Sequence, residues 1–329
     1  MTRVFVTDCE GPITKNDNAA ELAAEFIPEG HRFFSVVSLY DDYLAEVVRK
    51  PGYKAGDTLR LILPFFKAFG LDNRAMVEFS GKHIEIIPSA DRVLQEISGL
   101  MPAYVVSTSY APYIQAVCEA LNFDFGHTFR TAVDLDKYPI SPEELDTVRR
   151  LHKTILDLPR FSLPSGAQSA ADLTPEDRST VDRLNTIFWV ELPKLAIYRI
   201  VEEVNPVGGR EKALAVARIG EKERADIRNI LYVGDSITDV DAFRLVRSGG
   251  GLAISFNGND WAVKEASFAI TARNALPIGW CASIFAAAGS EGFEDLLISP
   301  LTEHNREHVS TLSSRIRKEV RTETIGSLG

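Results

Sequence analysis

The sequence has 329 residues, of which 45% are hydrophobic, so the chain can bury a sizeable core in one large or two medium domains. No apolar run approaches the ~20 residues that a membrane-spanning helix needs, which argues against membrane insertion. A net charge of −10 with scattered basic residues makes nucleic acid an unfavourable partner.

The chain begins with MTRVFVTDCEG, which passes directly into a strand pattern and lacks the architecture of a signal peptide. We therefore expect a cytoplasmic protein. The three cysteines, Cys9, Cys118 and Cys281, are far apart and form no CxxC grouping. Neither a disulfide framework nor a zinc site is expected from them.

Short apolar segments that precede helical patterns predict strands at residues 4–7, 103–107 and 230–234. Further strands are expected at 252–256 and 268–271. Strands that alternate with helices indicate a parallel α/β sheet, in which ligands collect beyond the carboxyl ends of the strands. Each of the first three strands carries candidate chemistry at that end.

Segment 14–85 separates the first two strands and is too long for a connection. Its stretches NAAELAAEFI and DDYLAEVVRK read as helices, which predicts a helical cap domain. Segment 139–204 is predicted to be a second helical insertion that ends in a helix over 187–204. The tail 276–329 is predicted to hold an apolar helix and a polar, basic end that frays. The remaining segments, 1–13, 86–138 and 205–275, form the predicted core.

The first strand runs into VFVTDCEGPIT, which places Asp8 and Glu10 two residues apart before a turn at Gly11 and Pro12. A carboxylate at a strand end can attack phosphorus and form an aspartyl phosphate. A second carboxyl group can protonate the leaving oxygen and then deprotonate water. Alternatively, both residues merely cap the next turn, and a DxE pair alone does not decide between these readings.

The third predicted strand runs into ILYVGDSITDVDAF, with Asp235 at its end and Asp239 one helical turn later on the same face. Hard oxygen ligands of this kind suit magnesium, which takes one or two protein carboxylates and keeps several waters. The structural alternative is that Asp235 caps the helix and Asp239 is a favourable acid in its first turn.

Two further patches carry groups suited to phosphate. Ser107 and Thr108 precede a predicted helix over 112–120, so their hydroxyls and free backbone N–H groups face the crevice, although both are also ordinary helix-start residues. Lys212 opens the helix EKALAVARI, where a cation opposes the helix dipole. This misfit favours a functional lysine, with a solvated surface lysine as the alternative.

In chain order these four patches resemble the four motifs of the haloacid dehalogenase superfamily, and most closely its phosphoserine-phosphatase-like branch. The stretch GGLAISFNGNDWAVKEASFAI after the fourth motif also resembles that branch. The resemblance covers most of the predicted core. It implies a doubly wound, parallel, Rossmann-like sheet with a cap inserted after the first strand.

The resemblance also implies roles for individual residues. Asp8 is the expected nucleophile and metal ligand, Glu10 the acid/base whose backbone carbonyl binds Mg²⁺, and Asp235 a further metal ligand. The other expected roles are phosphate binding by Ser107, Thr108 and Lys212, and support of the site by Asp239 and Asn257.

Three positions differ from the usual motifs. Glu10 stands where Asp is usual, although the enolase-phosphatase branch also has DxEGT. Pro12 stands where Thr is usual, and Thr238 where phosphoserine phosphatases have Asn. Phosphoserine is therefore not assumed to be the substrate.

Charge counting supports a metal. Asp8, Glu10, Asp235 and Asp239 bring four negative charges against the one of Lys212. Each close pair is worth ~4 kcal/mol at an effective dielectric of ~20. A phosphate dianion therefore needs a divalent cation to enter.

We expect a magnesium-dependent phosphatase, a hydrolase that acts on a small phosphorylated metabolite through an aspartyl phosphate on Asp8. The whole chain, including FFSVVSLYDDYLA, also resembles an archaeal group labelled an R subunit of an energy-converting hydrogenase, which makes a low-activity structural or regulatory subunit the alternative. A phosphotransferase or mutase is a third reading, because it shares the first step. Candidate cleft residues in the cap are Arg32, Tyr40, Asp41, Asp42, Tyr43 and Lys54, although aromatic and charged residues on helices more often serve packing and solvation.

Overall fold

The computed structural model describes residues 2–164, 167–293 and 301–321. Within these ranges fifteen segments are α-helices, and six strands form one sheet. The strands are β1 (Val4–Thr7), β2 (Ala103–Tyr110), β3 (Thr128–Thr131), β4 (Ile230–Gly234), β5 (Leu252–Phe256) and β6 (Phe268–Ile270). All neighbouring strands run parallel, in the order β3-β2-β1-β4-β5-β6.

The order of the strands reverses at β1, because β2 and β3 lie on one side of it and β4, β5 and β6 on the other. Val6 at the centre of the sheet pairs with Tyr104 of β2 and with Tyr232 of β4. A ligand crevice forms at such a switch point, beyond the carboxyl ends of the strands. The predicted doubly wound, parallel α/β fold is confirmed.

Helices cover both faces of the sheet, and each face has its own hydrophobic cluster. One face is covered by α6 (Ala90–Leu100), α7 (Ala111–Leu121) and α14 (Leu276–Ala288). The other is covered by α11 (Arg210–Glu223), α12 (Val240–Ser248) and α13 (Asp260–Glu265). Burial on both faces explains why the strands read as continuous apolar runs.

The cap and the second insertion share one hydrophobic cluster. From segment 14–85 come α1 (Asn18–Phe26), α2 (Gly30–Asp42), a π-helical turn Tyr43–Val47, α3 (Thr58–Leu61), α4 (Leu63–Ala68) and α5 (Asn73–Lys82). From segment 139–204 come α8 (Pro142–Asp157), α9 (Pro175–Thr186), a second π-helical turn Ile187–Glu191 and α10 (Arg199–Glu203). The Tyr40 ring, for example, stacks on Phe188 with centroids 5.5 Å apart. Contacts such as this join the two segments into one helical layer.

Two details of the predicted elements are wrong. The second strand continues past residue 107 to Tyr110, with a register shift against β3 between Val106 and Tyr110, so Ser107 and Thr108 lie inside the strand. The helix predicted over 187–204 is interrupted at Pro193, which lies in a short 3-10 turn, because proline lacks the N–H that a helix interior needs.

The tail differs most from expectation. Residues Glu303–Arg321 form α15, which packs against α13. Its buried face includes Ser313, Ile316, Arg317 and Arg321, so this part of the tail is not a fraying end. Segments 294–300 and 322–329 of the predicted tail lie outside the described residues. Across the described ranges, every helix falls short of the combination of length and hydropathy that is needed to cross a bilayer.

Candidate active site

Asp8 follows the last residue of β1 at the bottom of the crevice. Its backbone N–H donates to the Val233 carbonyl of β4 at 2.8 Å, which extends the pairing of the two strands. Its Oδ1 accepts a hydrogen bond from the Cys9 backbone N–H at 2.6 Å, and its Oδ2 accepts one from Lys212 Nζ at 2.5 Å. Both carboxylate oxygens are therefore held in fixed directions.

Lys212 lies in the first turn of α11, with a side chain that is 0% exposed. Besides its bond to Asp8, Nζ donates to Asp239 Oδ1 at 2.7 Å. Burial alone would lower the pKa of Lys212, but the Asp239 and Asp8 carboxylates raise it above its ordinary value. The ammonium group therefore stays charged, and the alternative of a solvated surface lysine is wrong.

Asp239 fixes both Lys212 and the turn after β4. Its Oδ2 accepts hydrogen bonds from the backbone N–H groups of Asp235 at 2.9 Å and Ser236 at 3.0 Å. Burial raises the pKa of Asp239, but Lys212 outweighs this effect, and the net pKa is below the ordinary value. Ser236, not Asp235, caps the short 3-10 turn that follows. The reading of Asp235 as the cap is therefore wrong.

Asp235 is 1% exposed and lies against the turn after β1. A Cβ added to Gly11 would be 2.3 Å from Asp235 Cγ, and Gly11 also has a φ of +102°. Asp235 Oδ2 accepts a hydrogen bond from Arg317 Nη1 and another, of 2.9 Å, from Arg321 Nη1. Both arginines come from α15, so the C-terminal helix reaches into the crevice.

The carboxylates of Asp8, Asp235 and Asp239 each offer an oxygen within 4.8 Å of the others. A donor set made only of carboxylate oxygens is hard, and it suits magnesium better than zinc or another metal that prefers nitrogen or sulfur. Each of the three carboxylates accepts a hydrogen bond from a cationic side chain, Asp8 and Asp239 from Lys212, and Asp235 from Arg317 and Arg321. Asp8 and Asp235 also line the cavity described below, which Asp239 does not. The donor chemistry that fits a magnesium ion there is therefore that of Asp8 and Asp235.

Burial and neighbouring charges in the crevice shift the pKa values of Asp8 and Glu10, the groups expected to do chemistry. Burial raises the pKa of Asp8 to about 7, in spite of Lys212 and with added repulsion from Asp239 and Asp235. Burial, followed by repulsion from Asp17, raises the pKa of Glu10 well above its usual range. Glu10 Oε1 also accepts a hydrogen bond of 2.7 Å from the Asn18 backbone N–H at the start of α1. This hydrogen bond and the charge of Arg321 lower the pKa of Glu10, but burial outweighs them.

A cavity opens between the crevice and the helical layer above it. Its core side includes Asp8, Glu10, Thr108, Ser109 and Asp235. Its cap side includes Asp17, Phe34, Ser38, Asp41, Asp42 and Leu59. Arg317 and Arg321 complete the lining from α15.

Four expected site residues do not line this cavity: Lys212 and Asp239, which are joined to Asp8 through the Lys212 ammonium, and Ser107 and Asn257. Ser107 is buried, and its Oγ donates to Ser109 Oγ at 3.0 Å, so the described lining contains Ser109 in its place. Asn257 is also buried, and its side-chain amide exchanges two hydrogen bonds with the backbone of Ala272, at 2.7 and 2.9 Å. The Asn257 side chain therefore stabilises the loop through Ala272 and does not face a ligand.

Arg317 and Arg321 were not predicted as site residues from the sequence. Their spacing of four places them on one helix face with Ser313, but nothing local in HVSTLSSRIRKEVR indicates which carboxylate they meet. They correct the charge count, because two guanidinium groups join Lys212, while Asp17 adds one more carboxylate. The site still holds more acidic than basic groups.

A scan against models of known protein families and a search of curated proteins both returned no match. Among solved structures, the chain is similar to gene product AF1437 from Archaeoglobus fulgidus, at 30% identity and a TM-score of 0.85, over 100% of this chain and 99% of that chain.

The chain is also similar to substrate-bound phosphoserine phosphatase, at 14% identity and a TM-score of 0.51, over 84% of this chain and 97% of that one. A phospho-aspartyl intermediate analogue of phosphoserine phosphatase gives 14% identity, a TM-score of 0.50 and the same coverage. At this identity the likeness shows a shared fold of the haloacid dehalogenase type. The comparisons give no support to the hydrogenase-subunit resemblance.

Proposed function

Since this chain belongs to the same family as gene product AF1437 from Archaeoglobus fulgidus, we propose for it the reaction that its own site supports: magnesium-dependent hydrolysis of a small phosphorylated metabolite. The phosphoryl group passes through an aspartyl phosphate on Asp8. The observation that carries this proposal is the Asp8 carboxylate, which lies at a strand end, 2.5 Å from the buried Lys212 ammonium, in a cavity that it shares with Glu10 and Asp235.

In the first half of the reaction, an oxygen of Asp8 forms a bond to phosphorus while the bond to the leaving oxygen breaks. Glu10 gives its proton to that leaving oxygen, which the raised pKa of Glu10 favours. In the second half, Glu10 takes a proton from water as the water oxygen attacks phosphorus. Inorganic phosphate leaves, and the Asp8 carboxylate is restored.

Asp8, Asp235 and the backbone carbonyl of Glu10 are the proposed magnesium ligands. When bound, magnesium neutralises developing charge on the phosphoryl oxygens. Lys212 supplies fixed positive charge beside Asp8, and Asp239 keeps that charge in place through its 2.7 Å bond. These residues are pre-positioned, so they need little reorganisation during the reaction.

Phosphate binding is assigned to Lys212 and to the end of β2. Thr108 and Ser109 line the cavity. Thr108 Oγ1 donates its only proton to the Val207 carbonyl at 3.1 Å, so it must leave that carbonyl before it can donate to a phosphate oxygen. Ser107 contacts Ser109 through its Oγ and therefore acts by positioning Ser109.

The test is phosphate release from a panel of phosphate monoesters by the full chain, with magnesium and with EDTA. Asp8→Asn serves as the blank, and Asp241→Asn, which changes a partly exposed carboxylate on α12, as the matched control. We expect turnover that needs both magnesium and Asp8. Absence of turnover on every ester, together with absence of phosphoenzyme, would instead support a structural or regulatory subunit.

The same assay separates hydrolysis from phosphotransfer. A hydrolase releases inorganic phosphate in the same yield when an alcohol or a sugar is added as acceptor. A transferase forms a new ester at the expense of that phosphate.

A further inference from the structure

Asp42, at the end of α2, carries a buried carboxyl group. It is 8% exposed and lines the cap side of the cavity. Within the described part of the chain, its side chain makes no hydrogen bond or ion pair. The neighbouring Asp41 differs, because it accepts hydrogen bonds from the Tyr53 hydroxyl at 2.6 Å, Gly56 N–H at 2.8 Å and Thr58 N–H at 3.0 Å.

Leaving a buried carboxyl group unpaired is costly, and buried polar groups almost always have partners. Burial, with repulsion from Asp41 and then Glu46, raises the pKa of Asp42 well above its usual range. The residue also stands at the junction with the π-helical turn Tyr43–Val47. Such turns are rare overall, but those that do occur are often found at functional sites. An unpaired carboxyl group at this position therefore does not stabilise the fold, and it is suited to binding a ligand.

The other groups around Asp42 define the charge of that ligand. The charged residues on the cap side of the cavity are all acidic: Asp17, Asp41 and Asp42. The two guanidinium groups of the cavity come from α15 and bind Asp235. Phe34 and Leu59 add apolar surface to the same wall. This wall suits a cation carried on a short apolar chain, because a cation stabilises the ionised form of Asp42 that burial disfavours. Its described lining residues also offer no cationic partner to a second anion.

We propose that Asp42 binds a protonated amine on the leaving group, so that the substrates are phosphate monoesters of amino alcohols without a second anionic group. This inference rests on the proposed phosphatase function, because it places the phosphoryl group at Asp8 and the amine at the opposite wall of one cavity. Asp42 is then a specificity-determining residue that contacts the substrate away from the reacting phosphorus.

The test compares 3-aminopropyl phosphate with butyl phosphate, in which a methyl group replaces the ammonium, and with 3-hydroxypropyl phosphate, a neutral donor. In the wild-type protein, kcat/KM should favour the amine over the butyl ester by about 10- to 100-fold, the size expected for a hydrogen bond between charged groups. Asp42→Asn should bring this ratio close to one. Ser38→Ala, which changes an uncharged residue of the same wall, should leave the ratio as it is.

Other outcomes overturn the inference while sparing the proposed function. One is a wild-type protein that hydrolyses p-nitrophenyl phosphate with magnesium but does not distinguish the amine from the butyl ester. Another is a kcat/KM for 3-hydroxypropyl phosphate that exceeds that for butyl phosphate by as much as the amine does. This would mean that hydrogen bonding rather than charge is recognised.

Binding gives a second arm that needs no turnover. Calorimetry with 3-aminopropylphosphonate and butylphosphonate should show the same preference in the wild-type protein and its loss in Asp42→Asn. If no ester is hydrolysed but this preference is present, the proposed function fails and the amine site stands. If the preference is absent, the inference is wrong.

Discussion

Arg321 lies 86 positions after Asp235 in the chain, and its Nη1 donates a hydrogen bond of 2.9 Å to Asp235 Oδ2. Arg317, one turn earlier on α15, donates to the same oxygen. Arg321 Nε also donates to the Lys15 carbonyl at 2.9 Å, which ties α15 to the segment after β1. Two guanidinium groups therefore share one oxygen of a proposed magnesium ligand.

Arg317→Gln should tighten magnesium binding. A positive charge beside Asp235 repels an incoming cation. Two charges at close range interact by ~4 kcal/mol at an effective dielectric of ~20, and screening by solvent reduces this energy. We expect the magnesium Kd to fall by about tenfold, as measured by calorimetry without substrate. Arg315→Gln, on an exposed position of the same helix, should leave the Kd unchanged.

The opposite outcome would assign a different role to Arg317. If Arg317→Gln weakens magnesium binding, the arginine holds the Asp235 carboxylate in its binding direction, and this effect exceeds charge repulsion.

Glu10→Gln tests the proposed acid/base. Gln can accept the hydrogen bond from Asn18 N–H but cannot give or take a proton, so hydrolysis of alkyl phosphates should slow by ~10²- to 10⁴-fold. With p-nitrophenyl phosphate, whose leaving group needs little protonation, the first step should suffer less. Phosphorylated Asp8 should then accumulate, which acid quenching and mass spectrometry can measure. If Glu10→Gln keeps full activity on alkyl phosphates, Glu10 is not the acid/base.

The raised pKa of Asp8 predicts a pH-dependent stability in the absence of metal. Its pKa is about 7 in the folded protein, against 3.8 for an ordinary aspartate. Between these values the folded state binds a proton that the unfolded state does not, so this group costs stability as pH rises from about 4 to about 7. Asp8→Asn should remove that loss.

Thermal melts in EDTA at pH 5, 6.5 and 8 measure this effect. The Tm of Asp8→Asn minus that of the wild type should increase with pH. At pH 8, excess magnesium should restore the Tm of the wild type, because a ligand that binds the native state stabilises it. A difference in Tm that does not change with pH would contradict the prediction.

The residues that lie at strand ends were predictable, and those brought in by α15 were not. Asp8 and Asp235 follow β1 and β4, which are neighbours in the sheet, so the parallel topology alone brings them together. Lys212 was predictable from its misfit at a helix start. Arg317 contacts a carboxylate 82 positions away, and a basic helix near a chain end has the pattern of a solvated one. Asn257 is the opposite case, because it was expected to support the site from its place after a strand. Its side chain instead bonds to the backbone of the following loop.

Gly11→Ala separates backbone strain from damage to the proposed metal site. A methyl group at Gly11 would meet Asp235 Cγ at 2.3 Å, at a φ of +102°. Gly70 is a matched control, because it has a similar φ of +88° but no atom within 4 Å of an added Cβ. Both changes to Ala should cost ~1 to 2 kcal/mol of stability from the left-handed backbone.

Only Gly11→Ala should also displace the Asp235 carboxylate and abolish the rise in Tm that magnesium produces, whereas Gly70→Ala should keep that rise. Magnesium binding is the deciding measurement, since both variants lose stability. If Gly11→Ala binds magnesium as the wild type does, the metal does not depend on the position of Asp235, and the assignment of Asp235 as a ligand is wrong.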